Sequence, residues 1–240
     1  VQKRMPGLEL PAGVKENDTF VCILDIATGT GTFLYECIDV IESTMKEKWC
    51  KELKKKNWDD QEIIDLWRTY VTKHLLTRLY GYELMMASYA VAHLKLAFKL
   101  RDTGYDLKSS DRIHVYLTNS LENPVDDQED LDGIMPALAK EALEVTEVKH
   151  KKRFTVVIGN PPYAGHSSNT GEWISRLVHD YYFIDGKPLG ERNPKWLQDD
   201  YVKFIRLGQQ NIVQTGVGIV SYITNHGYID NPTFRGMRQQ

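Results

Sequence analysis

Short apolar runs alternate with helical periodicities along almost the whole chain, and that alternation predicts the architecture. Val21 to Ile26 is an apolar run with Asp25 near its end, followed by a glycine-bearing stretch and a helical pattern that begins near Phe33. A second helix is expected from Asp59 to about Leu76, where Asp59 or Asp60 can cap and Ile63, Ile64, Trp67, Val71 and Leu75 recur at helical spacing. Leu79 to Glu83 reads as a strand, and Met85 to Leu100 as a helix apolar on nearly every side, hence one expected to be buried. Further strands are predicted at Ile113 to Thr118, Thr155 to Ile158 and Val217 to Thr224. Helices are predicted at Ile134 to Val148, Trp173 to Tyr182 and Asp200 to Ile212. The stretch from Glu122 to Asp132 reads as an acidic loop and Tyr182 to Leu197 as a long excursion rich in glycine and proline.

Strands that alternate with helices imply an α/β protein whose mostly parallel sheet is covered on both faces, with ligands at the carboxyl ends of the strands. Asp25, Glu83, Asn119 and Asn160 each fall at or just beyond such an end. Composition narrows the picture little: 240 residues with 42% hydrophobic content suit a globular core. Charge narrows it more, because 30 basic against 33 acidic residues give a formal charge of −3. A chain that gripped nucleic acid unaided would carry a basic excess, so any phosphate contact is local or supplied from elsewhere. The lysine runs Lys54 to Lys56 and Lys151 to Arg153 read as solvated surface. Cys22, Cys37 and Cys50 are widely spaced and have no histidine cluster near them, which argues against zinc and disulfides and for a reducing cytoplasm. The most apolar stretch, Leu84 to Leu94, is too short to span a bilayer.

Two local features carry chemistry. The first is the loop Ala27, Thr28, Gly29, Thr30, Gly31, Thr32, where two glycines after a strand let the backbone approach a ligand closely. A dinucleotide site would add a third glycine and an acid about 20 residues onward; neither is present, and the next acid at a strand end is Glu83. An acid at each of two strand ends fits a ligand with an ammonium group and a ribose diol, as S-adenosylmethionine has. A glycine turn flanked by two surface acids is the alternative on these residues alone.

The second feature is Asn160, Pro161, Pro162, Tyr163, which ends the apolar run Val156 to Ile158 in a stiff turn. An exocyclic amine on a purine is a poor nucleophile because its lone pair is delocalised into the ring. Acceptors aimed at both its hydrogens, the Asn160 side-chain oxygen and the Pro161 carbonyl, would favour a tetrahedral nitrogen. Tyr163 would offer a stacking face to a base taken out of its duplex. By itself the tetrapeptide is equally compatible with a structural turn and a packed aromatic.

Taken together, the segments resemble a known family. Asp25 to Leu34 (DIATGTGTFL), Gly81 to Leu84 (GYEL), Thr118 to Leu121 (TNSL) and Asn160 to Tyr163 (NPPY) are similar, in that order, to the motifs of the N6-adenine DNA methyltransferases. Within that family the chain resembles the methyltransferase region of large single-chain restriction-modification enzymes, notably in Gly81 to Leu96, Leu197 to Arg206 and Gly218 to Arg238. The resemblance implies a Rossmann-like methyltransferase fold. It also implies that S-adenosylmethionine is held by Asp25 and the loop residues Ala27, Thr28, Gly29, Gly31 and Thr32, with Glu83 on the ribose, Leu84 on the adenine ring and Asn119 and Ser120 at the adenine edge. Asn160 to Tyr163 would be the active site, and direct methyl transfer would need no metal. The partner implied is double-stranded DNA, bound mainly through regions outside this chain.

The same comparison predicts that residues 1–240 are a catalytic core truncated at both ends, lacking a target-recognition domain. The loop Ala164 to Gly171 is expected to be mobile until DNA binds, and His166 within it to be solvent-exposed. Protein glutamine N5-methyltransferases share the NPPY turn, and N6-adenine methylation of RNA is a second rival. The helical insertion before Glu83 and the match beyond the tetrapeptide favour the DNA enzyme.

Overall fold

A computed structural model of the chain describes residues 19–123, 136–165, 167–191 and 194–240. The first eighteen residues, most of the acidic loop, the expected helix start at Ile134 and His166 lie outside them. Five parallel strands form the sheet: β1 (Ile23–Asp25), β2 (Leu79–Glu83), β3 (His114–Leu117), β4 (Val156–Gly159) and β7 (Ile219–Tyr222), in the order β3-β2-β1-β4-β7. Successive strands step outward from β1 to β3, and the chain then crosses to the other side of β1. The order therefore reverses between β1 and β4, where an open α/β sheet leaves a crevice at its carboxyl edge. The chain has the parallel α/β sheet that the alternating pattern predicts, in the Rossmann-like form that the resemblance implies.

Helices α1 (Thr32–Leu53), α2 (Gln61–Tyr70) and α3 (Met86–Asp102) cover one face. Asp60, rather than Asp59, caps α2 by accepting from the Glu62 N–H at 3.0 Å. The expected single helix to Leu76 instead passes into a π-helical turn over Val71–Leu75. This face buries Leu34, Ile38, Trp67, Val71, Leu96 and Val115 among others. The fully buried Trp67 indole donates to the Thr103 hydroxyl at 2.8 Å, so its one polar group is satisfied.

The opposite face is covered by α4 (Pro136–Lys151), α5 (Glu172–His179) and α6 (Asp200–Thr215), over a core that includes Leu24, Tyr82, Tyr116, Phe154, Val157 and Tyr181. The excursion after α5 contains a small antiparallel pair, β5 (Phe183–Ile184) and β6 (Lys187–Pro188). Short helices α7 (Gly227–Asp230) and α8 (Arg235–Gln239) follow β7.

One expectation is corrected here. The helix read as apolar all round is buried on one side only, through Ala92, Leu96 and Leu100, while Val91, Leu94 and Phe98 are exposed. Their spacing places them on a stripe that turns away from α1 and the sheet. The basic residues of Lys151 to Arg153 also do more than face water: Lys152 bonds the Thr77 carbonyl at 3.4 Å and lies over the Tyr80 ring, and Arg153 bonds the Gln214 carbonyl. Lys54 and Lys56 are exposed as expected, with Lys55 between them paired to Asp60 and Glu62.

Candidate active site at the sheet's carboxyl edge

Asp25 is the last residue of β1 and has no exposed surface. One carboxylate oxygen accepts from the Ala27 N–H at 3.2 Å, and the other, Oδ2, is buried with no hydrogen-bond partner among the described residues. Burial pushes the carboxyl up to about 7; the Ala27 N–H opposes that rise and the Glu83 charge adds to it. A buried carboxylate with an orphaned oxygen is a poor structural element and a good receptor for a cation. Gly159 on the neighbouring strand makes room for it, since a Cβ there would sit 3.3 Å from Asp25 Oδ1.

The glycine loop is fixed from three directions. The Thr28 N–H donates to the Tyr82 carbonyl at 3.0 Å, and its hydroxyl donates to the Asp25 carbonyl at 3.1 Å. Glu83 Oε2 accepts from the Gly29 N–H at 2.7 Å, while Oε1 accepts from the Met85 N–H at 2.7 Å. A Cβ on Gly81 would fall 2.5 Å from the Thr28 hydroxyl, so β2 is kept bare where the loop crosses it. Gly31 adopts φ +79° and brings the start of α1 against Ala92 of α3. Thr32 accepts a hydrogen bond from Lys95 at 2.9 Å. Leu84 is 63% exposed at the end of β2.

At the next strand end, the Ser120 hydroxyl donates to the Ile26 carbonyl at 2.6 Å and ties the segment after β3 to β1. Asn119 accepts from the Leu121 N–H at 3.0 Å and donates to Glu122 and to Asn169, both at 2.9 Å. Behind it, Lys149 donates to the carbonyls of Asn119 and Glu122 at 2.7 and 3.1 Å. Burial lowers this lysine to about 8. Across the crevice, Pro161 is buried, whereas Asn160 and Tyr163 open to solvent, Tyr163 to 51%. The Tyr163 hydroxyl lies 2.8 Å from Asn160 Oδ1 and 2.9 Å from the Ile223 carbonyl, within donating distance of both. Its ring meets Tyr201 edge-on.

The carboxyl edge thus gathers Asp25, Glu83, Asn119 and Asn160, as the alternating pattern predicts, together with the Ala27 to Gly31 loop and Ser120. Among the described residues of the loop after the tetrapeptide, Ala164, Ser167 and Asn169 are bonded to Asp199, Asp200 and Lys203 of α6 and its cap. Sequence reasoning assigned no role to those three residues, although an aspartate pair at a helix start and a lysine among apolar helix positions were signals of it. Tyr222 was also missed; its hydroxyl is buried without a hydrogen-bond partner among the described residues. No cluster of three or more His, Cys, Asp or Glu side chains among the described residues is arranged to hold a metal ion. Nor is any described helix long and apolar enough to cross a membrane.

Comparison with known proteins gives the same picture a lineage. Three solved structures share the fold: a nuclease-deletion mutant of the Type ISP restriction-modification enzyme LlaGI in complex with a DNA substrate mimic, the ATP-dependent Type ISP enzyme LlaBIII bound to DNA, and a DrdV–DNA complex. Their TM-scores are 0.67, 0.68 and 0.63 at 20%, 22% and 24% identity, over 91%, 95% and 92% of this chain. The chain spans only 16%, 14% and 19% of theirs. No curated protein matches it. Residues 77–240, from β2 through the tetrapeptide to α8, match the model of one family, and the chain belongs to it: the Eco57I restriction-modification methylases.

Proposed function

We propose that residues 1–240 are the catalytic core of an S-adenosylmethionine-dependent DNA methyltransferase that modifies the N6 amine of adenine within a restriction-modification system. The observation that carries this reading is the meeting, at the switch point between β1 and β4, of an orphaned buried carboxylate oxygen with a proline-stiffened pair of acceptors. One half of the crevice is built for a cation and the other for an amine.

The residues present fit the cofactor. Asp25 Oδ2 awaits an ammonium group, and a Cβ built on Gly29 would meet nothing within 4 Å, which leaves open space beside the loop backbone. Glu83 retains lone pairs for a ribose diol beyond the two N–H groups it accepts. Leu84 would offer its exposed apolar face to an adenine ring, and Asn119 and Ser120 would meet the ring's edge. Thr32, held by Lys95, would shape the loop at its helix end. When bound, S-adenosylmethionine supplies a methyl group already activated by its positive sulfur.

On the acceptor side, Asn160 Oδ1 and the Pro161 carbonyl would accept the two amine hydrogens, so the nitrogen lone pair turns toward the methyl donor. Pro162 stiffens the turn, and Tyr163 would stack on the extruded base. Alignment of the two halves supplies much of the acceleration, and no nucleophilic side chain or metal is called for. Double-stranded DNA is the proposed partner, gripped mostly by regions outside this chain, in keeping with the neutral charge balance. Three cysteines outside any disulfide suit the reducing cytoplasm in which such an enzyme would work.

The test is methyl transfer from labelled cofactor, by the full-length polypeptide, to double-stranded DNA, ribosomal RNA and a release-factor protein in parallel. Label in DNA adenine, abolished by Asn160→Ala, is the expected result. Label in protein or RNA alone would overturn the assignment.

A further inference from the structure

Lys203 on α6 is fully buried, and so are Val202 and Phe204 on either side of it in the chain. Its ammonium donates to the Ser167 hydroxyl at 2.8 Å and to the Asn169 carbonyl at 2.5 Å. Asp200, one turn earlier, accepts from the Ser167 hydroxyl and, at 3.0 Å, from the Asn169 side-chain amide. Ser167 therefore stands between the two charges, accepting from one and donating to the other, and it also accepts the Asn169 N–H at 3.0 Å. Asp199 holds the near end of the loop through the Ala164 N–H at 3.2 Å.

The network does not stop at the loop. Asn169 Oδ1 accepts from Asn119 Nδ2, and Glu122 takes the other hydrogen of that amide. With both its hydrogens spoken for, Asn119 presents its oxygen in a single orientation, toward the Leu121 N–H, with one lone pair to spare. Leaving a buried ammonium or carboxylate without partners is costly, so a network of this kind holds one loop conformation against others.

We propose that Lys203 and Asp200 are positioning residues: through Ser167 and Asn169 they clamp the loop that follows the tetrapeptide against Asn119 and so fix the amide at the adenine end of the cofactor site. The inference rests on the cofactor reading above and deepens it, because the loop that leaves the acceptor half is then hydrogen-bonded to a residue of the cofactor half. Loosening the loop on one side loosens the purine site on the other.

The experiment uses the full-length polypeptide with Asn169→Ala, Ser167→Ala and the hydroxyl-preserving Ser167→Thr; these loop changes avoid the folding risk of an altered Lys203. Amide hydrogen exchange over residues 164–171 and the calorimetric affinity for S-adenosylhomocysteine are measured together. The two alanine variants should exchange faster in that loop, leave β1 and β4 protected, and bind the ligand about tenfold more weakly, while Ser167→Thr restores both properties. In turnover the same variants should raise KM for the cofactor more than they lower kcat. A loop that exchanges no faster overturns the clamp, and a loosened loop with unchanged affinity overturns its link to Asn119. If the unaltered protein binds the ligand but methylates no DNA, the proposed substrate fails and the clamp stands; if it binds no such ligand, both readings fail.

Discussion

The Tyr163 hydroxyl reaches back 2.8 Å to the side-chain oxygen of Asn160, so the residue expected to stack on a base also orients the residue expected to accept its amine. Two roles in one side chain can be separated by substitution. Tyr163→Phe keeps the ring and loses the hydrogen bond, and should slow single-turnover methyl transfer by about three- to tenfold. Tyr163→Ala removes the stacking face as well and should cost roughly ten- to a hundredfold more. Equal rates for the two variants would mean that the ring contributes nothing.

With Asp25 as the proposed receptor of the ammonium group, cofactor binding should depend on pH. Because burial holds its carboxyl near 7, above the ordinary 3.8, the ligand-free folded chain binds this proton more tightly than the unfolded chain does. The stabilisation is fully present below pH 3.8 and is lost as pH rises through about 7. An ammonium-bearing ligand prefers the ionised form, so its affinity should rise by up to about tenfold per pH unit below 7 and then level off. Asp25→Asn should bind weakly at every pH and flatten the profile. Calorimetry with S-adenosylhomocysteine between pH 5.5 and 8, at roughly half-unit steps, checks the slope.

The helical insertion between β1 and β2 is part of the core. Trp67 is fully buried, stacks on Tyr70 and satisfies its indole N–H on Thr103. Trp67→Ala should lower unfolding free energy by about 3–5 kcal/mol. Trp67→Phe, which loses the hydrogen bond and part of the volume, should cost less. Denaturant titration distinguishes this from a peripheral insertion, for which both changes would be nearly silent.

Much of the site was legible because its residues obey local rules. Asp25, Glu83 and Asn160 sit where apolar runs end, and a parallel sheet brings such ends to one edge whatever the intervening lengths. Helix α3 was misjudged because an apolar residue count does not say which neighbour, if any, covers each side; Val91, Leu94 and Phe98 look the same in sequence as Leu96 and Leu100. The hydrogen bonds of the loop after the tetrapeptide were not legible for a related reason. The loop's partners Asp199, Asp200 and Lys203 lie some thirty residues away in the chain, and only folding brings a distant ammonium to a serine hydroxyl.

Glu83 has a consequence for which replacements the position tolerates. Both groups that meet its carboxylate, the N–H of Gly29 and the N–H of Met85, are donors. Glutamine, the isostere by shape, would turn an NH₂ toward one of them and set donor against donor, while aspartate falls one methylene short. A change that looks conservative on paper should therefore be as damaging as alanine, lowering both thermal stability and cofactor affinity. Glu83→Gln with wild-type values of both would refute this. The position has no near synonym in the amino-acid alphabet, because a single carboxylate serves as the keystone of both the loop and the start of α3.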